Sequence, residues 1–156
     1  MKKPPKGWPR MASAVFYDDA AAAIDWLCRA FGFEVRLRIE GEGGRIEHSE
    51  LVFANEGEAV IMVGSAGGSS TRPHPLPCKS PRSLGGANTQ SIMAYVDDVE
   101  AHCARARTAG ATIVEPPETH DYGEEYWVDR GYRAQDLEGH QWWFYQRLRD
   151  PVRRGD

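Results

Sequence analysis

The amino-acid sequence predicts an α+β fold in which one β-α-β-β-β unit is laid down twice. Three observations predict it. A strand ending in paired aspartates, a helical run and a glycine stop occur in each half, as Phe16-Tyr17-Asp18-Asp19 with Gly32 and as Tyr95-Val96-Asp97-Asp98 with Gly110. Apolar and charged residues alternate from Phe33 to Glu40, the period of a strand. Further short apolar runs, separated by turn residues, follow each helix. Two such units, each unable to cover its own sheet, are expected to pair into one body with a cleft.

In order, residues 11–17 read as a strand, and Asp18 and Asp19 offer a cap to the helix carrying Ile24, Leu27, Cys28 and Phe31. Gly32 ends that helix, because a left-handed terminal residue is cheapest without a Cβ. Phe33, Val35, Leu37 and Ile39 then form the apolar side of a half-buried strand. The glycines of Gly41 to Gly44 turn the chain into strands at 46–54 and 59–64. Residues 65–88, rich in Gly, Ser and Pro, are too long for a tight connection and read as a linker or lid. The second unit repeats the plan: a strand at 90–96, a helix with Val99, Cys103 and Ala106, a stop at Gly110, and strands at 111–115, 126–135 and 141–147. The turn Asp136-Leu137-Glu138-Gly139 joins the last two.

Composition narrows the function. The chain has 156 residues, 41% hydrophobic and 27% charged, enough for a core. Its net charge of -4 offers no footprint for a phosphate backbone, so nucleic acid is not expected as a partner. The basic, proline-rich residues 1–10 are followed by no apolar run of signal-peptide length, and no run of about eighteen apolar residues occurs. A cytosolic protein without a membrane partner is expected. Cys28, Cys78 and Cys103 form no CxxC pair and read as structural thiols.

Several segments together carry a family likeness: Tyr17-Asp18-Asp19 with Ala23, Trp26 and Ala30-Phe31-Gly32-Phe33-Glu34, then Tyr95-Val96-Asp97-Asp98-Val99, then Asp136-Leu137-Glu138-Gly139-His140. The chain resembles the vicinal-oxygen-chelate superfamily, which includes glyoxalases, bleomycin-resistance proteins and extradiol dioxygenases, and within it the PhnB-like or glyoxalase-like bacterial branch. Ile46-Glu47-His48-Ser49-Glu50-Leu51, Val60-Ile61-Met62-Val63 and Asp129-Arg130-Gly131-Tyr132-Arg133 resemble that branch too. The resemblance implies a single domain at 11–147, with modules at 11–64 and 89–147, an extension at 1–10 and a tail at 148–156. It implies an open, cup-shaped mixed β-sheet barrel with the helices outside, often in a homodimer.

In metal-bearing members, the first and last strands of each module supply the ligands. That pattern falls here on Ala12, Met62, Ser91 and Trp143, none a credible ligand, so no metal or other cofactor is expected. The period of two sets Ala14 and Phe16, Met93 and Tyr95, and Gln141 and Tyr145 beside these positions. The resulting surface of Phe16, Met62, Ser91, Met93, Tyr95, Gln141, Trp143 and Tyr145 suits a flat organic ligand held by stacking and burial. Arg133 or Arg130 could clamp an acidic group of that ligand, or form a cross-strand ion pair with stacking.

The leading expectation is a metal-independent small-molecule binding protein, like the drug-sequestering members of the superfamily. The alternative is a glyoxalase-, dioxygenase- or isomerase-like enzyme. Its candidate catalytic residues are His48 and Glu50 on one strand face, holding a displaced divalent metal or acting as an acid-base pair, with His120 and Asp121 approaching from a loop. A third is an interaction domain with a closed cleft, using residues 65–88 and the basic tail. His140 is expected to hydrogen-bond its turn, His102 to sit at a helix boundary, and His74 to lie in the long connection.

Overall fold

A computed structural model describes residues 1–55, 58–68 and 78–152. The chain forms two compact units, Met1–Ala87 and Asn88–Asp156. Each contains one β-α-β-β-β module, and the fold is α+β.

In the first unit, β1 (Ser13–Tyr17), α1 (Ala20–Phe31), β2 (Glu34–Glu40), β3 (Ile46–Phe53) and β4 (Ala59–Ser65) make a sheet of order β1-β4-β3-β2. β1 runs parallel to β4, and the other pairs are antiparallel. Asp19 caps α1 by accepting from Ala22 N at 3.0 Å, and Gly32 closes it in the left-handed region at φ 84°. One face of α1 is apolar because Ala23, Ile24, Leu27, Ala30 and Phe31 recur at helical spacing, and all five are buried. They pack on the sheet face formed by Val15, Tyr17, Leu51 and Val63. Burying a side chain such as Leu27 or Phe31 contributes about 1.5–3 kcal/mol.

Ser49 extends this core in an unusual way. Its buried hydroxyl donates to the Val63 carbonyl at 2.7 Å and accepts from Val63 N at 3.1 Å, so a side chain satisfies both backbone groups of the neighbouring strand.

The strand expected from the alternation at Phe33 to Glu40 forms as β2, but its apolar side is not half-buried. Val35, Leu37 and Ile39 are all exposed. A register shift between Val35 and Leu37 moves Val35 opposite Leu51 and Leu37 opposite Glu50, so these residues no longer share one face, and β2 lies at the sheet edge.

The second unit repeats the plan with β5 (Ser91–Tyr95), α2 (Val99–Thr108), β6 (Thr112–Asp121), β7 (Val128–Gln135) and β8 (Gln141–Arg149), in sheet order β5-β8-β7-β6. Asp98 caps α2 from Ala101 N at 3.0 Å, as Asp19 caps α1. Trp142 and Phe144 are fully buried in parallel register with Ile92 and Ala94, and Tyr132 and Ala134 of β7 lie beside them. Asp136 organises the expected turn: one oxygen accepts from the backbone N of Glu138 and of His140, and the other from Trp142 Nε1, each at 3.0 Å. His140 thus meets its turn through its backbone N.

β6 is longer than the sequence suggested, running through Pro116 and Pro117. As an edge strand it can bulge there, since one side of its ladder needs no donors. Of the long connection, residues 69–77, with His74, lie outside the described residues. Beyond them Pro81–Leu84 forms a 3-10 turn capped by Ser80.

Candidate functional site

Strand alternation and the direct contacts of α2 fix the faces of the second sheet. Arg130 of β7 pairs with Glu100 of α2 at 2.5 Å, and the Tyr132 hydroxyl lies 2.7 Å from His102 Nδ1. Burial, with a smaller contribution from Cys103 against an opposing one from Arg107, pushes the Tyr132 phenol well above its ordinary value, so the hydroxyl donates to the imidazole. Residues 130 and 132 therefore face the helix, and residues 129, 131 and 133 face away. Arg130, a candidate clamp in the sequence, is committed to Glu100 on the helix side.

The face turned away from α2 gathers seven of the sequence candidates. Ser91 pairs with Gln141, Met93 with Trp143, and Tyr95 with Tyr145 across β5 and β8. Across β7 and β8, Arg133 pairs with Trp143 and Gly131 with Tyr145. The Trp143 and Tyr145 rings are parallel within 6°, with centroids 5.9 Å apart. The Arg133 guanidinium sits 5.3 Å from the Trp143 ring and bonds Glu115 of β6 at 2.8 Å, the cross-strand ion pair with stacking that the sequence allowed. Met93 is 55% exposed and Tyr95 46%, so apolar surface is open to solvent.

Gly131 makes the position of Tyr145 possible. A Cβ at residue 131 would lie 2.3 Å from Tyr145 Cδ1, a distance no side chain tolerates. The ring therefore lies flat on a stretch of bare backbone. The sequence held a signal for this, since glycine inside a strand marks a close approach.

A polar border surrounds the rings. Asp129, buried, accepts from Arg147 Nε at 2.6 Å, and Arg147 also donates to the Tyr95 hydroxyl at 2.5 Å and stacks on Tyr95 and Trp127. Hydrogen bonding to Asp129 is the main reason the Arg147 pKa lies above its usual value. Burial, reinforced by Tyr122, Asp129, Glu115 and Tyr95, raises the Tyr145 phenol as well, so it stays neutral. Gln141 Oε1 and Arg133 Nε are buried without a hydrogen-bond partner. One acceptor and one donor are thus left over beside Trp143.

The remaining candidates lie on the first sheet. Ala14 and Met62 are register partners, as are Phe16 and Gly64, on the face away from α1. His48 and Glu50 share their strand face with Val52: His48 Nε2 lies 3.2 Å from Glu50 Oε1, and Glu50 Oε2 accepts from Arg36 Nε at 2.8 Å. Burial would raise the Glu50 carboxyl, but the hydrogen bonds from His48 and Arg36 outweigh it and hold its pKa below the usual value. Arg36 stacks on Trp8, 4.8 Å from the ring centroid, and its Nη1 donates to the Gly7 carbonyl. Neither Arg36 nor Trp8 stood out in the sequence.

His120 and Asp121 are not in a loop. They close strand β6, where His120 is opposite Asp129 and Asp121 bonds Arg149 at 2.9 Å. Their contacts belong to the second sheet.

A divalent metal does not fit the residues present. Ala12, Met62, Ser91 and Trp143 offer a methyl, a thioether, a hydroxyl and an indole, which are not a donor set for such an ion. The His48–Glu50 pair does not replace them, because both carboxylate oxygens are engaged and a guanidinium already supplies the positive charge. Among the described residues no group of three or more His, Cys, Asp or Glu is placed to hold a metal.

The family model for the glyoxalase/bleomycin resistance protein/dioxygenase superfamily matches residues 11–144, nearly the whole of both modules. The chain belongs to this superfamily. The Mycobacterium bovis protein Mb0911c is 32% identical over 146 residues, covering 91% of this chain and 86% of that one. Among solved structures, TioX from Micromonospora sp. ML1 is 33% identical with a TM-score of 0.64, over 88% of this chain and 94% of that one. A fosfomycin resistance protein, FosX from Mesorhizobium loti, shares the fold at 11% identity and a TM-score of 0.53, over 87% of this chain and 89% of that one. No helix among the described residues is long and apolar enough to cross a membrane.

Proposed function

We propose that this superfamily member is a metal-independent small-molecule binding protein that holds a flat organic ligand against the aromatic face of its second sheet. The observation that carries this reading is the parallel pair Trp143 and Tyr145, seated on Gly131 and left uncovered by α2. A planar ligand laid on these rings gains stacking and apolar burial together. Gln141 Oε1 and Arg133 Nε lack partners where they are buried, and turning either side chain outward onto a bound ligand would satisfy it, so the ligand is expected to carry a hydrogen-bond donor and an acceptor at one edge. Ser91, Met93 and Tyr95 line the adjoining strand and set how far the ligand extends. Following the habit of the superfamily, the protein is proposed to act as a homodimer, which sedimentation of the purified chain tests directly.

The test is a fluorescence screen of planar organic compounds. The chain has five tryptophans, so quenching is assigned to the site by repeating each titration on Trp143→Ala. A tenfold or greater loss of affinity in that variant, with wild-type binding unchanged by a chelator, is the expected result. Equal affinity in the two proteins would remove the aromatic face from consideration, and a chelator-sensitive wild type would remove the metal-independent part of the reading.

A further inference from the structure

The first sheet carries a group whose geometry the aromatic face of the second sheet does not explain. Glu50 is held ionised by Arg36, and Arg36 is held by Trp8 and the Gly7 carbonyl. An ionised carboxylate can only accept hydrogen bonds, so the nitrogen of His48 that faces it carries the proton as Nε2–H. In the neutral ring the lone pair then resides on Nδ1. Nδ1 has no hydrogen-bond partner among the described residues, and the His48 side chain is 32% exposed. This is a base with its tautomer set and its basic atom open.

The surroundings suit an aromatic or apolar ligand. Across β2 and β3, Ile39 is opposite His48 and Leu37 opposite Glu50, and both apolar side chains are exposed. Trp8 adds an indole on Arg36. Glu50 of β3 and Arg36 of β2 are the charged groups paired around His48, while β4 contributes the uncharged Val60 and Met62 to this face. Along β2, Arg38 is turned to Asp25 of α1 and to Glu40.

We propose that His48 Nδ1 takes a proton from a weakly acidic hydroxyl, a phenol or an enol, of a small molecule bound on this face. The ligand O–H bond breaks with its electron pair left on oxygen, an N–H bond forms at Nδ1, and the resulting imidazolium is stabilised by the Glu50 carboxylate. Glu50 is a positioning residue that orients the ring and sets its tautomer. The proposal does not depend on what binds the aromatic face of the second sheet.

The experiment uses the full chain and 4-nitrophenol, whose phenolate absorbs visible light. At a pH below that of half-ionisation of the free phenol, the bound probe is expected to show a raised phenolate fraction. The excess should vanish in His48→Gln and shrink in Glu50→Gln. Nitrogen NMR of the wild-type imidazole provides a readout independent of any variant. The neutral ring should be protonated at Nε2, and saturating probe should bring a proton to Nδ1. Failure of the probe to bind, an equal phenolate fraction in wild type and His48→Gln, or a neutral ring protonated at Nδ1 would each overturn the proposal.

Discussion

The two modules share one order of elements and hold their helices by different forces. α1 buries a continuous apolar stripe, with Ile24, Leu27 and Phe31 wholly inaccessible. α2 buries only Val99, Cys103 and Ala106, and reaches its sheet through Glu100 to Arg130 and His102 to Tyr132. Away from the helices the contrast reverses. The first sheet presents one charged group around a histidine, and the second presents layered rings with a polar border. Repetition of the backbone plan therefore fixes where a side chain points, while the chemistry of each face is set separately in each copy.

Substitutions at the two helix–sheet contacts would test this contrast most severely. Leu27→Ala should cost about 2–5 kcal/mol in urea unfolding, since it opens a cavity in a packed core. Arg130→Ala should cost about 0–1 kcal/mol, because its pair with Glu100 is exposed. Comparable losses would mean that α2 is held mainly by its ion pair, and the contrast would fail.

Ser49→Ala isolates a feature that the first module uses in place of a regular ladder. Removing the hydroxyl leaves the Val63 N–H and carbonyl without their partner, and a loss of about 1–3 kcal/mol is expected by the same denaturant titration. The caps should behave alike in the two modules: Asp19→Ala and Asp98→Ala are each expected to cost about 1 kcal/mol, and a large inequality would show that the modules differ even in their shared devices.

The smallest expected effect separates the charged face from the aromatic one. Glu50 has a folded-state pKa below its ordinary value of 4.5, so its contribution to stability is present above that value and is lost as the pH falls through the lower, folded one. Melting temperature followed through this acid range should fall less steeply in Glu50→Gln than in wild type. An unchanged acid slope would show that the pairing contributes nothing to folding.

The parts of this molecule that local chemistry dictates were legible in the sequence. Asp19 with Gly32, Asp98 with Gly110, and the turn at Asp136 each act within a few residues, so spacing sufficed to find them. Seven ligand-face candidates fell together on one side of the second sheet because the period of two is a property of the strand itself. Burial was less legible. Val35, Leu37 and Ile39 alternate perfectly, but alternation does not reveal a register shift or whether an edge strand is covered. His120 was misplaced because the strand was ended at Glu115, whereas the edge strand continues through Pro116 and Pro117 to Asp121. Arg36 was not found because its partners, Glu50 and Gly7, lie 14 and 29 positions away, beyond the reach of any periodic pattern.

The ring of Tyr145 rests on the bare backbone of Gly131. The same contact has a meaning across homologous chains: a side chain at position 131 and a ring at position 145 exclude each other. A homologue with any side chain at the position of Gly131 should have given up an aromatic ring at that of Tyr145, whereas one that keeps the ring should keep the glycine. Coupled inheritance at these two positions would therefore sort relatives into those that retain this aromatic floor and those that have filled it in, before any ligand is known.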